Sequence, residues 1–196
     1  MTEQPDTLLT SAKKLASAAK LPWPVVQKVY RELQEADLLP LSQGRRIWYA
    51  TPELVASLCM GLAFRASGSK ISDLVKYFEH STRGGDGWMM HSLITRLGSF
   101  LADPTEASKL VRVVFEMDLL RAKVIHRDGD EEVTSEYFHE DDTADSPENT
   151  EGSPLITNWG VISGAVFQIL SSEIIWGSNS PPTFRAQIES PAAGIP

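Results

Sequence analysis

Pro22-Trp23-Pro24 divides an amphipathic stretch of about thirty residues into two helices. A residue that precedes proline avoids the α region, so the first helix must stop before this triplet. Pro24 suits the first position of the next helix, where its missing N–H leaves nothing unpaired. Upstream, Leu8, Leu9, Ala12, Leu15, Ala16 and Ala19 recur at spacings of three and four, which predicts a helix over residues 7–19. Downstream, Val26, Val29, Tyr30, Leu33 and Ala36 fall on one face, and Gln27, Lys28, Arg31, Gln34 and Glu35 on the other. Two helices joined this tightly must cross at an angle and share one small core.

The rest of the chain divides by period. Residues 38–50 read as an extended excursion with a turn at Ser42-Gln43-Gly44-Arg45-Arg46 and β-prone residues, Ile47-Trp48-Tyr49, beyond it. Thr51-Pro52-Glu53 opens a helix with a hydroxyl cap, an early proline and an acid near the positive end of the dipole. Leu54, Val55, Leu58, Cys59 and Leu62 make it a core helix. Ile71, Leu74, Val75 and Phe78 define a further helix, and Met90, Leu93, Ile94, Leu97 and Leu101 another. From Val111 the period falls to 2, with Val111 and Val113, then Leu120, Ala122 and Val124, then Val133, Ser135 and Tyr137 in three strands. Asp128-Gly129 predicts a hairpin turn of type I′ between the last two. Residues 155–176 are strongly apolar and are expected to form one helix, for dimerisation or for the core. The expected class is α+β, mainly α. Its divisions are a head over 1–66, a helical and β-hairpin part over 67–138, an acidic linker over 139–154, the apolar helix, and a disordered tail over 177–196.

Charge narrows the function. The chain has 18 basic and 26 acidic residues and a net charge of −8. Residues 127–152 alone carry −10, whereas the first eighty carry +2. The acidity therefore belongs to one segment, and the head keeps the local positive charge that a nucleic-acid surface needs. A single cysteine excludes an intrachain disulfide and fits a reducing compartment. The polar start, Met1 to Asp6, lacks the cationic and apolar parts of a signal peptide, so a cytoplasmic location is expected.

The stretch from Leu15 to Pro22, followed by Val26 to Pro40, resembles the helix-turn-helix heads of bacterial and prophage regulators. Such heads continue, as here, through a Gly-Arg turn into a threonine-proline-capped helix. Lys20 and Asp37 depart from the pattern, standing where it usually has glycine. The resemblance covers about a third of the chain. It implies a second helix lying in the major groove, with its early outward residues against base edges. Glutamine pairs with adenine, and lysine or arginine with guanine. The candidate DNA-contacting residues are Trp23, Val25, Gln27, Lys28 and Arg31 on that helix, with Arg45 and Arg46 on the wing. The expected partners are double-stranded DNA, a second copy of the chain, and a protein bound by the C-terminal part.

No catalytic constellation emerges, and no enzyme, cofactor or metal site is expected. Arg83-Gly84-Gly85-Asp86-Gly87 lacks the lysine and preceding strand of a phosphate-binding loop. His80, His91, His126 and His139 are scattered, and Asp128, Asp130 and Glu132 suit a hairpin better than a calcium loop. The stretch 155–172 is uncharged, and Gly160 and Gly164 have the small-xxx-small spacing. Asn158, Gln168, Glu173 and the lack of flanking cations argue for a buried or dimer-forming helix rather than a membrane span. Alternatives to a sequence-specific regulator are a phage DNA-packaging protein of small-terminase type or an architectural DNA binder. A protein-interaction module or inhibitor without DNA binding is the third.

Overall fold

The computed structural model describes residues 4–41, 47–65, 70–83, 92–138 and 159–176. The N-terminal helix pair forms as its periodicity predicts. Helix α1 spans Leu8–Ala18, with Thr7 Oγ1 accepting from Thr10 N at 3.1 Å, and α2 spans Trp23–Glu35. Pro24 occupies the second rather than the first helical position, which also needs no N–H partner. Helix α3, Pro52–Phe64, is capped by Thr51 and is buried from Val55 to its end. It packs against α1 and α2 and also against the later elements, α4 (Ile71–His80), α5 (Leu93–Ala102) and β5 (Trp159–Ser163). The buried cluster runs without a break from Leu8 to Ile174, so the helix-turn-helix shares its core with the C-terminal half. Phe64, Phe78 and Phe115 meet at ring-centroid distances of 4.9–5.3 Å within it.

The period-2 segments make an antiparallel sheet. Strands β2 (Leu110–Glu116), β3 (Arg121–Asp128) and β4 (Glu131–Phe138) follow α6 (Pro104–Lys109). The sheet order is β1-β4-β3-β2-β5, with the short β1 (Thr82–Arg83) at one edge. The β3–β4 turn differs from expectation. Asp128 pairs with Glu131, so Gly129 and Asp130 are the central residues. Gly129 has φ +63° and Asp130 has no positive φ, the signs of a II′ turn rather than I′.

The expected single helix over 155–176 is not found. Trp159–Ser163 is a strand, paired antiparallel with β2, and α7 begins only at Gly164 and ends at Glu173. The exposure of Trp159, Val161 and Ser163 alternates with burial of Gly160 and Ile162, the two-residue period of a half-buried strand. The available edge of β2 satisfies its backbone. The proposed acidic linker, the tail, and the turns at Gly44 and Gly84 lie outside the described residues. No helix among the described residues is long and apolar enough to cross a membrane.

The two ends of the described chain meet at Asp6. Its backbone N donates to Ile175 O and its Oδ2 accepts from Ile175 N, each at 2.9 Å. Lys14 Nζ bridges Asp6 Oδ2 at 2.6 Å and Glu173 O at 2.5 Å. Helix α1 is thereby tied to the end of α7.

Candidate nucleic-acid interface

Helices α1 and α2 are separated by only Ala19 to Pro22. At the corner Lys20 takes a left-handed conformation, φ 53°, where the resembled heads usually have glycine. Lys20 N then donates to Ser17 O at 3.0 Å and Leu21 N to Ala16 O at 2.9 Å. This is a complete Schellman closure. The end of α2 repeats it. Asp37 has φ 58°, Asp37 N donates to Gln34 O at 3.1 Å, and Leu38 N to Leu33 O at 2.9 Å. The two departures from the glycine pattern therefore keep the glycine geometry, at a steric cost that glycine would not carry. Lys20→Gly and Asp37→Gly are each expected to raise stability by about 0.5–1 kcal/mol, Lys20→Gly by more because aspartate tolerates this region better. Urea denaturation midpoints check both.

One face of α2 is fixed against the body of the protein. Val26, Val29, Tyr30 and Leu33 are buried, and Gly61 of α3 lets them close in. A Cβ at Gly61 would lie 2.9 Å from Val29 Cγ1 and 3.0 Å from Leu33 Cδ1. Two polar side chains on its flanks are already engaged. Glu32 Oε1 accepts from Ile71 N at 3.1 Å, capping α4, and Gln34 Nε2 donates to Pro40 O at 2.8 Å. What remains outward is Pro24, Lys28, Arg31 and Glu35, with Gln27 half-buried beside them. These residues recur at helical spacing and form one stripe opposite the buried face.

The residues singled out from sequence are thus partly gathered. Gln27, Lys28 and Arg31 lie together on the outer face of α2. Trp23 and Val25 are half-buried, and Trp23 packs on the core. Arg45 and Arg46 lie outside the described residues. The excursion that carries them is closed at its base by Trp48 Nε1, which donates to Leu41 O at 3.0 Å. Its return leg is tied to the start of the chain by Leu8 N to Trp48 O and Ala50 N to Asp6 O, both 2.9 Å. Ile47-Trp48-Tyr49 contributes only an isolated bridge, Thr7 to Tyr49, rather than a strand.

Two further cations, not selected from sequence, flank the start of α2. Lys13 projects from α1, its Nζ 6.0 Å from the centroid of Trp23, and Lys20 stands exposed at the corner. Lys13, Lys20, Lys28 and Arg31 make no ion pair with any described residue. Two acids, Glu32 and Glu35, line the same groove as Gln27, Lys28 and Arg31, and Asp37 follows beyond the end of α2, so the second half of this face is mixed in charge. Cys59 has no part in this face. Burial pushes its thiol up to about 12, so it stays protonated at neutral pH and is no nucleophile.

Compared with known proteins, the chain matches no family model, no curated protein and no solved structure.

Proposed function

We propose that this chain is a sequence-specific DNA-binding protein, a transcriptional regulator of bacterial or phage type, that lays α2 in the major groove. The observation that carries the proposal is the stripe of Gln27, Lys28 and Arg31 on an exposed helix face whose opposite side is seated on α3. Such a helix presents cations and an amide to a duplex without unfolding anything. In this reading the Gln27 amide pairs with adenine, and Lys28 and Arg31 contact guanine or the phosphates beside it. Lys13 and Lys20 meet the backbone on either side of the groove and position the head. The acidic remainder of the molecule repels DNA, which restricts productive encounters to this face. One head spans one half-site, so two copies bound about 34 Å apart along the duplex complete the operator.

The test is selection of duplexes from a random pool by the full-length protein, followed by anisotropy titrations at several salt concentrations. An enriched motif is expected, with log K falling linearly in log salt. Gln27→Ala should relax preference at one base position. Replacing Arg45 and Arg46 with alanine should weaken all duplexes alike and lower the salt slope by about 2. Failure to retain any duplex at low salt overturns the proposal.

A further inference from the structure

A cleft of about 240 Å³ opens directly beneath the helix-turn-helix corner. Its apolar walls are Ala19 and Leu21 of the corner, Cys59 and Leu62 of α3, and Val161 and Val166 where β5 passes into α7. At roughly 30 Å³ per water, this is room for about eight waters or one small organic molecule. Among the described residues no acid lines the cleft, and Arg65 is its one charged residue. Among the described residues the Arg65 guanidinium donates one bond, Nη1 to Leu62 O at 2.8 Å, and has no acidic partner. A guanidinium carries five N–H donors, so four find no acceptor among the described residues. Ser163 also lines the cleft, and its Oγ accepts from Ala165 N at 3.3 Å, which leaves its hydroxyl hydrogen to donate.

We propose that this cleft binds a small amphipathic carboxylate, with its hydrocarbon part among Leu21, Leu62 and Val166 and its carboxylate on Arg65 and Ser163. The charge complement selects an anion, and the walls select an apolar body. Ala19 and Leu21 bracket Lys20, so an occupant touches both sides of the corner that orients α2. Occupancy therefore changes DNA affinity, a consequence that rests on the proposed DNA-binding function. The cleft itself does not.

Octanoate is the probe, with octan-1-ol as its uncharged counterpart, both titrated into the full chain by calorimetry. Octanoate should bind saturably and about tenfold more tightly than the alcohol, the difference made by a charge-assisted hydrogen bond. Arg65→Met should erase the preference for the acid while leaving the melting curve unchanged, since Arg65 is exposed. Val161→Asp, at a residue 56% exposed on the rim, should repel octanoate without disturbing the fold. Absence of saturable octanoate binding, equal binding of the alcohol, or unchanged binding by both variants overturns the site. Octanoate that binds without altering DNA affinity refutes the coupling alone. If no duplex binds at all, calorimetry still decides the cleft.

Discussion

Gly164→Ala is expected to cost about 4 kcal/mol or more, enough to leave a domain of ordinary stability largely unfolded. Gly164 opens α7 directly behind strand β5, at the point where the chain reverses over β2. A Cβ there would lie 1.9 Å from Leu110 O, 2.6 Å from Leu110 C and 2.9 Å from Val111 O. These are backbone atoms of a strand held in ladders with both β3 and β5, so they cannot rotate aside as a side chain would. Conformation is not the reason for glycine here, because Gly164 is not in the left-handed region. Two further glycines set the scale. A Cβ at Gly160 would meet Ala63 O at 2.8 Å, and Gly160→Ala should cost about 2 kcal/mol. Gly129 has open space around it but φ +63°, so Gly129→Ala should cost only about 1 kcal/mol. Urea titrations followed by circular dichroism should rank the three in that order. A wild-type midpoint for Gly164→Ala would mean that α7 does not approach β2 as described.

The same two glycines show why the C-terminal segment was misread from sequence. Gly160 and Gly164 have the spacing of a close helix–helix contact, and residues 155–176 are apolar enough for one long helix. Both glycines do mark close approaches, but to the carbonyls of Ala63 and Leu110, on either side of a strand-to-helix junction. A short apolar run is equally a buried strand or a buried helix until its partner is known. That partner is β2, about fifty residues earlier, and nothing local to Trp159–Ser163 reports it. By contrast α1, α2 and α3 were legible because their signals are local. Pro22 and Pro24, the Thr51 cap and a repeated 3.6-residue period act within a few residues of the boundaries they set.

The candidate interface was legible to the same extent. The outward placement of Lys28 and Arg31 follows from helical period alone once the buried face is known. The engagement of Glu32 with Ile71 and of Gln34 with Pro40 does not, because both depend on where the chain returns after α2. Those two contacts fix the side chains that flank the stripe, although Glu32, like Glu35, still lines the same groove as Gln27, Lys28 and Arg31. Lys13 was missed because it belongs to the supporting helix and meets α2 only at Trp23, the first residue of α2. Lys20 and Asp37 looked like defects because glycine is the cheapest residue at a left-handed helix end. Their backbone bonds are nonetheless complete, and Lys20 adds to the face a positive charge that glycine would lack. Lys20→Gly should therefore gain stability and lose DNA affinity together.

Charge reversal on α2 should have the largest effect on binding. Lys28→Glu combined with Arg31→Glu is expected to lower affinity for the selected duplex roughly 100-fold or more at moderate salt, and to reduce the salt slope by about 2. Both side chains are exposed and form no ion pair with described residues, so the fold should change by no more than about 0.5 kcal/mol. The size of the loss follows from position, because two cations at the centre of a groove contact become two anions facing phosphates. Net charge alone is the competing explanation, and it is separable. Arg112→Glu with Arg127→Glu makes the same change in total charge on exposed residues of the sheet. That variant should bind within about threefold of the wild type, since α2 packs on α1, α3 and α4 rather than on the sheet, and exposed charges away from the contact are screened by salt. Equal weakening by the two double variants would show that α2 does not carry the contact. Selective loss with α2 altered, and a slope reduced only there, would place the duplex against Lys28 and Arg31.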